Sequence, residues 1–195
     1  MDQKEILHAY LRNRRADLVG KLDGLSEYDV RRPMTSTATN LLGIVKHVAS
    51  VQLGYFTDTF GRPTGRSLPW FAAAAAPDAD FWAGPDESRE SVLELHRFSA
   101  EASDAVIDQL PLDAPGEVPW WPEGERSVTL GLILVRMVDE TARHAGHADV
   151  VRELVDGAIG LRAGDVMVGH RDAAGWAAHR AEVEAAATEA GRRYD

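Results

Sequence analysis

From Glu140 to Asp149 the chain reads ETARHAGHAD, placing Glu140, His144 and His147 at intervals of four and three residues. On an α-helix, Glu140 and His144 project within about 40° of each other, and His147 follows one turn further along on the same face. That face also carries Ile133, Met137, Val151 and Leu154, an apolar stripe of the kind that turns into a core. The spacing therefore predicts a carboxylate and two imidazoles directed inward. Such a group is costly to bury unless its charges are paired or ligated. Hydrogen bonding among the three is one resolution, and a shared divalent cation is the other. There is no cysteine in the chain, so any metal must be held by nitrogen and oxygen ligands.

Glu140 and His144 could reach one ion from a single helix, and a third ligand must come from elsewhere. His47 lies in a stripe with Ile44, Val48 and Val51 and, in an antiparallel bundle, can face the ETARHAGHAD helix across the core. Two histidines, one carboxylate and an open position suit Zn(II), and also Ni(II), Mn(II) or Fe(II). His8, His96, His170 and His179 lack comparable partners and read as surface or structural. Arg143 and Arg152 flank the inward stripe and are expected to pair with acidic neighbours, the alternative being that they reach an anionic ligand, whereas Asp149 points away from Glu140, towards solvent or a subunit contact.

These residues need elements to position them. All nine prolines fall between Pro33 and Pro122, and interior proline breaks helices, so the proline-free stretches read as helix. The first, about 2–23, repeats apolar residues near a 3.6-residue period. The second follows MTSTATN, with Thr37 or Thr39 as its cap, and runs from Leu41 to Phe56. The third covers about 87–110 and stops at Pro111. The fourth begins after Ser127 or Thr129 and continues to about Asp156, where Gly157 suits a left-handed C-cap. A further helix is expected over about 172–193. No strand alternation or hairpin signal is evident. The expected fold is all-α: a four-helix bundle with an additional C-terminal helix, in a single domain over 1–195 whose core spans about 2–157 and whose extension spans 158–195. The connection from Gly61 to Asp86 is long for a bundle and aromatic, with Trp70, Phe71, Phe81 and Trp82, so it either lines a functional site or caps one end of the core. Trp70, Trp82, Trp120 and Trp121 are candidate pocket walls on the same reasoning.

The chain has 195 residues, a net charge of −10, 45% hydrophobic and 27% charged residues. An acidic balance repels phosphate backbones and anionic lipid, so neither nucleic acid nor a membrane is an expected partner. No apolar run approaches the roughly 20 residues of a spanning helix, and the start MDQKEILHAYLRNRR does not read as a secretory signal. A cytoplasmic protein is expected.

The segments LLGIVKHVASVQLGYF and SVTLGLILVRMVDETARHAGHADVVRELVDG resemble the DinB-like superfamily, in particular its largely uncharacterised actinobacterial branch, over about 2–157. The resemblance implies a four-helix bundle with a metal at one end of its core, held by His47, Glu140 and His144. Glu140 stands where many members have histidine, and in this the chain is similar to the metal-binding domain of mycothiol-dependent maleylpyruvate isomerase; the residues that follow Gly157 are expected to be too few for that enzyme's separate C-terminal domain. His147, where many relatives carry Gln, is implied to support the ligands and the chemistry without binding the metal itself.

Relatives in the superfamily use the metal to activate a low-molecular-weight thiol for transfer to an electrophile or for isomerisation. The implied function is a transferase acting on a small molecule, with mycothiol as cosubstrate. Of 21 basic residues only Lys4, Lys21 and Lys46 are lysine; this and the Ala, Gly and Asp richness are the mark of a GC-rich coding sequence, which favours mycothiol over bacillithiol. The alternatives are a metal-dependent hydrolase and a non-catalytic, metal-stabilised binding or stress protein. A homodimer is compatible with the family.

Overall fold

A computed structural model of the chain describes residues 2–162, 165, 169 and 171–194. The helices are α1 (Gln3–Gly20), α2 (Glu27–Arg31), α3 (Leu41–Phe56), α4 (Arg89–Gln109), α5 (Leu130–Asp156) and α6 (Ala173–Tyr194). The all-α expectation holds, with two additions. The five-residue α2 was not anticipated, nor was an antiparallel pair of three-residue strands, β1 (Pro115–Glu117) and β2 (Ser127–Thr129). Strands this short carry too few residues to show alternation.

The ends of the helices follow side-chain chemistry. Asp2 and Glu5 form a reciprocal capping box on α1, which satisfies two of the free first-turn donors. α3 is capped by Asn40, whose side chain accepts from the Gly43 amide at 2.8 Å, and not by Thr37 or Thr39. Those threonines belong to a turn around Ala38, at φ 65°, that ends before the Asn40 cap. Thr129 caps α5 and Gly157 ends it at φ 79°, both as expected.

Two apolar clusters define how the helices run. One joins Leu11 of α1, Phe56 of α3, Val106 and Ile107 of α4, and Ile133, Leu134 and Met137 of α5. The other joins Leu18 and Leu22, then Leu41 to Val48, Val92, and Ala145 to Val151. The start of α1 thus meets the end of α3, the end of α4 and the start of α5. It follows that α1 and α5 run one way and α3 and α4 the other. α3 packs mainly on α4 and α5, α1 packs mainly on α5, and α1 and α4 scarcely meet.

This topology explains the long connection. Consecutive but parallel helices need a crossover that returns along the whole of α3, about 24 Å at 1.5 Å per residue. The return segment is anchored on α3 by Lys46, 2% exposed, whose ammonium donates to the carbonyls of Ala79 at 3.1 Å and Trp82 at 2.9 Å and pairs with Glu87 at 2.8 Å. Trp70 lies across that ammonium at 4.1 Å and donates to Ser50 Oγ at 3.0 Å. Gly43 admits the segment: a Cβ there would fall 1.7 Å from the Phe81 carbonyl oxygen. This crossover both packs and reaches the polar cluster described below.

Contacts divide the chain into Met1–Ala163, which holds the bundle, and Gly164–Asp195. In the second unit α6 carries no buried residue, and Asp172 accepts from the Gly175 amide at its start at 2.7 Å.

Candidate metal centre

Because α3 and α5 are antiparallel, His47 meets α5 at Glu140 and His144, while two turns away Tyr55 lies under Arg136, its ring 5.2 Å from the guanidinium. One ligand atom each from His47, Glu140 and His144 lies within 4.8 Å of the others. His47 Nε2 is 3.3 Å and His144 Nε2 is 3.2 Å from the same oxygen, Glu140 Oε1. A charge-assisted hydrogen bond to a carboxylate spans about 2.7–2.9 Å. Atoms sharing one ion at about 2.0–2.2 Å stand farther apart than that, at the edges of a tetrahedron. The two N···O separations match that edge length better than the hydrogen bond.

The protons point the same way. On its other edge His47 Nδ1 lies 2.5 Å from Asp80 Oδ2. A carboxylate accepts, so Nδ1 donates to Asp80, and Nε2 is the nitrogen that His47 turns towards Glu140. Glu140 is held below the usual carboxylate range: burial acts to raise it, but the bond with His47 and the charges of His144 and His47 outweigh burial. His144 is pushed down by burial first and by the charge of His47 second, against the opposing pull of Glu140. Its Nδ1 is buried without a hydrogen-bond partner. Asp80 and Glu140 bring two carboxyl groups to the imidazoles of His47 and His144, and a shared dication is one way to balance such a buried group. The donor set and its spacing fit a divalent ion.

Support for the ligands comes from the crossover. Asp80, 8% exposed, orients His47 in the way that carboxylates commonly fix ligating histidines. Phe81 stacks on the His47 ring at 3.8 Å with planes 18° apart and shields it from water. Sequence reasoning missed Asp80. The available signal was the rule that a ligating histidine usually hands its second N–H to a carboxylate, applied to the acids of the crossover, but nothing in the spacing singled out Asp80 from Asp78 or Asp86. Of the four tryptophans, Trp82 and Trp120 are half exposed, and Trp121 donates to the Tyr55 hydroxyl at 3.1 Å. Phe81, rather than any of them, is the ring against His47.

His147 and Leu154 depart from the inward face expected for them. An ideal helix drifts about 20° per heptad, so Glu140, His147 and Leu154, seven residues apart, turn successively away from the core. The Glu140 side chain is 28% exposed, His147 is exposed and Leu154 is 56% exposed. His147 stands outside the ligand cluster, edge-on to His144 at 5.4 Å. Asp149 is not free: it pairs with Lys21 at 2.6 Å and ties α5 to α1. Arg152 pairs with Asp156 at 2.7 Å, as expected. His8 and His96 are buried, His179 is exposed beside Glu182, and His170 lies outside the described residues.

The fold is a helical bundle that gathers two imidazoles and a carboxylate from facing helices, and the family match places it in the DinB-like superfamily. Within that class, the family model described as Mycothiol-S-transferase matches residues 6–157, and the chain belongs to this family. The match ends at the C-cap of α5 and leaves α6 outside it. No curated protein sequence matches the chain.

Proposed function

We propose that the protein is a divalent-metal-dependent transferase that activates mycothiol, or a thiol like it, towards a small electrophile. His47 Nε2, a Glu140 oxygen and His144 Nε2 would hold the ion, and Zn(II) suits two nitrogens and one oxygen with a position left open. The observation that carries this reading is the convergence of one ligand atom each from His47, Glu140 and His144 within 4.8 Å of one another, an arrangement that a shared cation would satisfy. Bound there, a divalent ion would favour the thiolate form of a ligating thiol, the nucleophilic form.

The chain's own residues do the rest. Asp80 fixes the tautomer and plane of His47, and Phe81 keeps water off that ring. Glu140 is the most exposed of the three ligands, so the thiol approaches along its flank of α5, where His147 also lies. There His147 takes the proton that the thiol gives up and passes it to solvent. The family match supports the thiol. A site of action in the cytoplasm accompanies that thiol, and among the described residues no helix is long and apolar enough to cross a membrane.

The test is conjugation of mycothiol to an alkylating fluorophore by Zn(II)-loaded protein. The reading expects turnover that needs both metal and thiol, is lost in His47→Ala and His144→Ala, and is slowed in His147→Gln at unchanged metal content. Hydrolysis of ester substrates without added thiol would favour the hydrolase instead. Full metal content with no turnover of any electrophile would favour a binding protein.

A further inference from the structure

The weakly joined side of the bundle holds a second polar site, remote from the metal ligands. Where α1 and α4 pass each other, the small residues Ala16, Gly20 and Ala100 leave a surface groove of about 470 Å³. Two deeply buried side chains line it: Arg15, 3% exposed, and His96, 9% exposed. Arg15 donates from Nε to Gln52 at 2.6 Å and from Nη1 to Asp104 at 2.5 Å. Its Nη2 has no partner, and neither has His96 Nε2. Buried polar atoms are almost always satisfied, and these two, covered in the floor of the groove on residues that line it, are donors that an acceptor would reach as the side chains shift towards it.

The charge around the groove sets the sign of that acceptor. Asp104 is already engaged by Arg15 and by His8 at 2.8 Å. His96 is pushed down to about 4 by burial, then by the nearby charges of Arg15 and Arg97, so it is a neutral ring in a positive field. Arg12, exposed at the rim, adds a further guanidinium, and Asp23 is the other acid in the lining. We propose that the α1–α4 groove binds a small oxyanion, a carboxylate or phosphate group, through Arg15 Nη2, His96 Nε2 and Arg12. A guanidinium edge beside an N–H donor is the pattern that carboxylates and phosphates satisfy. Arg15 also reaches across the core to Gln52 of α3, so the bound group would rest on a side chain held by two helices.

The test follows the His96 ring by ¹H–¹⁵N correlation, assigned with His96→Gln, while full-length protein is titrated with acetate and, separately, with inorganic phosphate, ionic strength being held constant with chloride. The ring lies far from titration near neutral pH, so a change in its Nε2 shift reports contact and not protonation. The proposal expects a saturable shift, and the anion that binds more tightly identifies the source as carboxylate or phosphate. Ala16→Glu changes an exposed residue in the groove wall and places a tethered carboxylate there. It should weaken binding at least about tenfold while metal content stays at the wild-type level. Arg12→Gln, also at an exposed position, should weaken it in the same direction and serves if Ala16→Glu fails to fold. The proposal is overturned if neither anion gives a saturable shift, which would leave water as the occupant, or if the shift survives both substitutions unchanged.

Discussion

Replacing Gly43 by alanine sets two effects of known size against each other. Alanine is favoured over glycine in a helix interior by about 1 kcal/mol, so propensity alone predicts a more stable protein. The structure predicts the reverse. The new Cβ would lie 1.7 Å from the carbonyl oxygen and 2.4 Å from the carbonyl carbon of Phe81, so that backbone must withdraw by more than an ångström. Overpacking of this kind costs about 1–3 kcal/mol, and the move also strains the bonds from Asn40 to Phe81 and from Lys46 to Ala79 and Trp82. Asp80 travels with the segment, and its bond to His47 cannot survive such a shift. Losing a carboxylate that supports a ligating histidine typically lowers metal affinity 10- to 100-fold, about 1.4–2.7 kcal/mol. Competition against a chromophoric chelator and urea denaturation of the metal-free protein read the two effects separately. Asp80→Asn is the control, expected to weaken metal binding with little loss of stability. A Gly43→Ala protein that is more stable than wild type and binds metal equally well would refute the reasoning.

Other consequences follow from buried charge and from ligation. His96 is neutral in the fold down to about pH 4 but takes up a proton near pH 6.5 when unfolded, so stability falls as pH drops from about 6.5 to about 4, by about 3 kcal/mol in all. His96→Gln should flatten that part of the urea midpoint against pH profile. Asp104→Ala leaves the buried Arg15 without its carboxylate and should cost about 3 kcal/mol in urea denaturation, most of it recovered in the double variant Arg15→Met, Asp104→Leu. Chelation of an ion present at about 100 times its dissociation constant removes about 2.7 kcal/mol and should lower Tm by roughly 5–10 °C for a chain of this size.

What was legible in the sequence was local and periodic. Proline placement and the 3.6-residue repeat located the long helices within a few residues, and intervals of four and three identified the carboxylate and imidazoles of α5. His47 was found because it shares a stripe with Ile44, Val48 and Val51. The direction of the helices was less accessible, since only tertiary packing shows that α3 and α4 are parallel and that the crossover must be long. Asp80 escaped for the same reason: it reaches His47 from an irregular segment through a contact 33 residues away in sequence. His147 and Leu154 were misplaced because a heptad step was treated as returning to the same face, whereas an unsupercoiled helix turns away with each repeat. The choice of Thr37 or Thr39 over Asn40 as cap failed on one residue of turn geometry.

The central claim is that His47, Glu140 and His144 hold one divalent ion. Elemental analysis of tag-free protein, measured beside His47→Ala and His144→Ala at known concentration, tests it most directly. The account predicts close to one equivalent of metal in the wild type and almost none in either variant. Wild-type protein that stays metal-free after incubation with Zn(II), Ni(II) or Mn(II), or variants that keep a full equivalent, would contradict it.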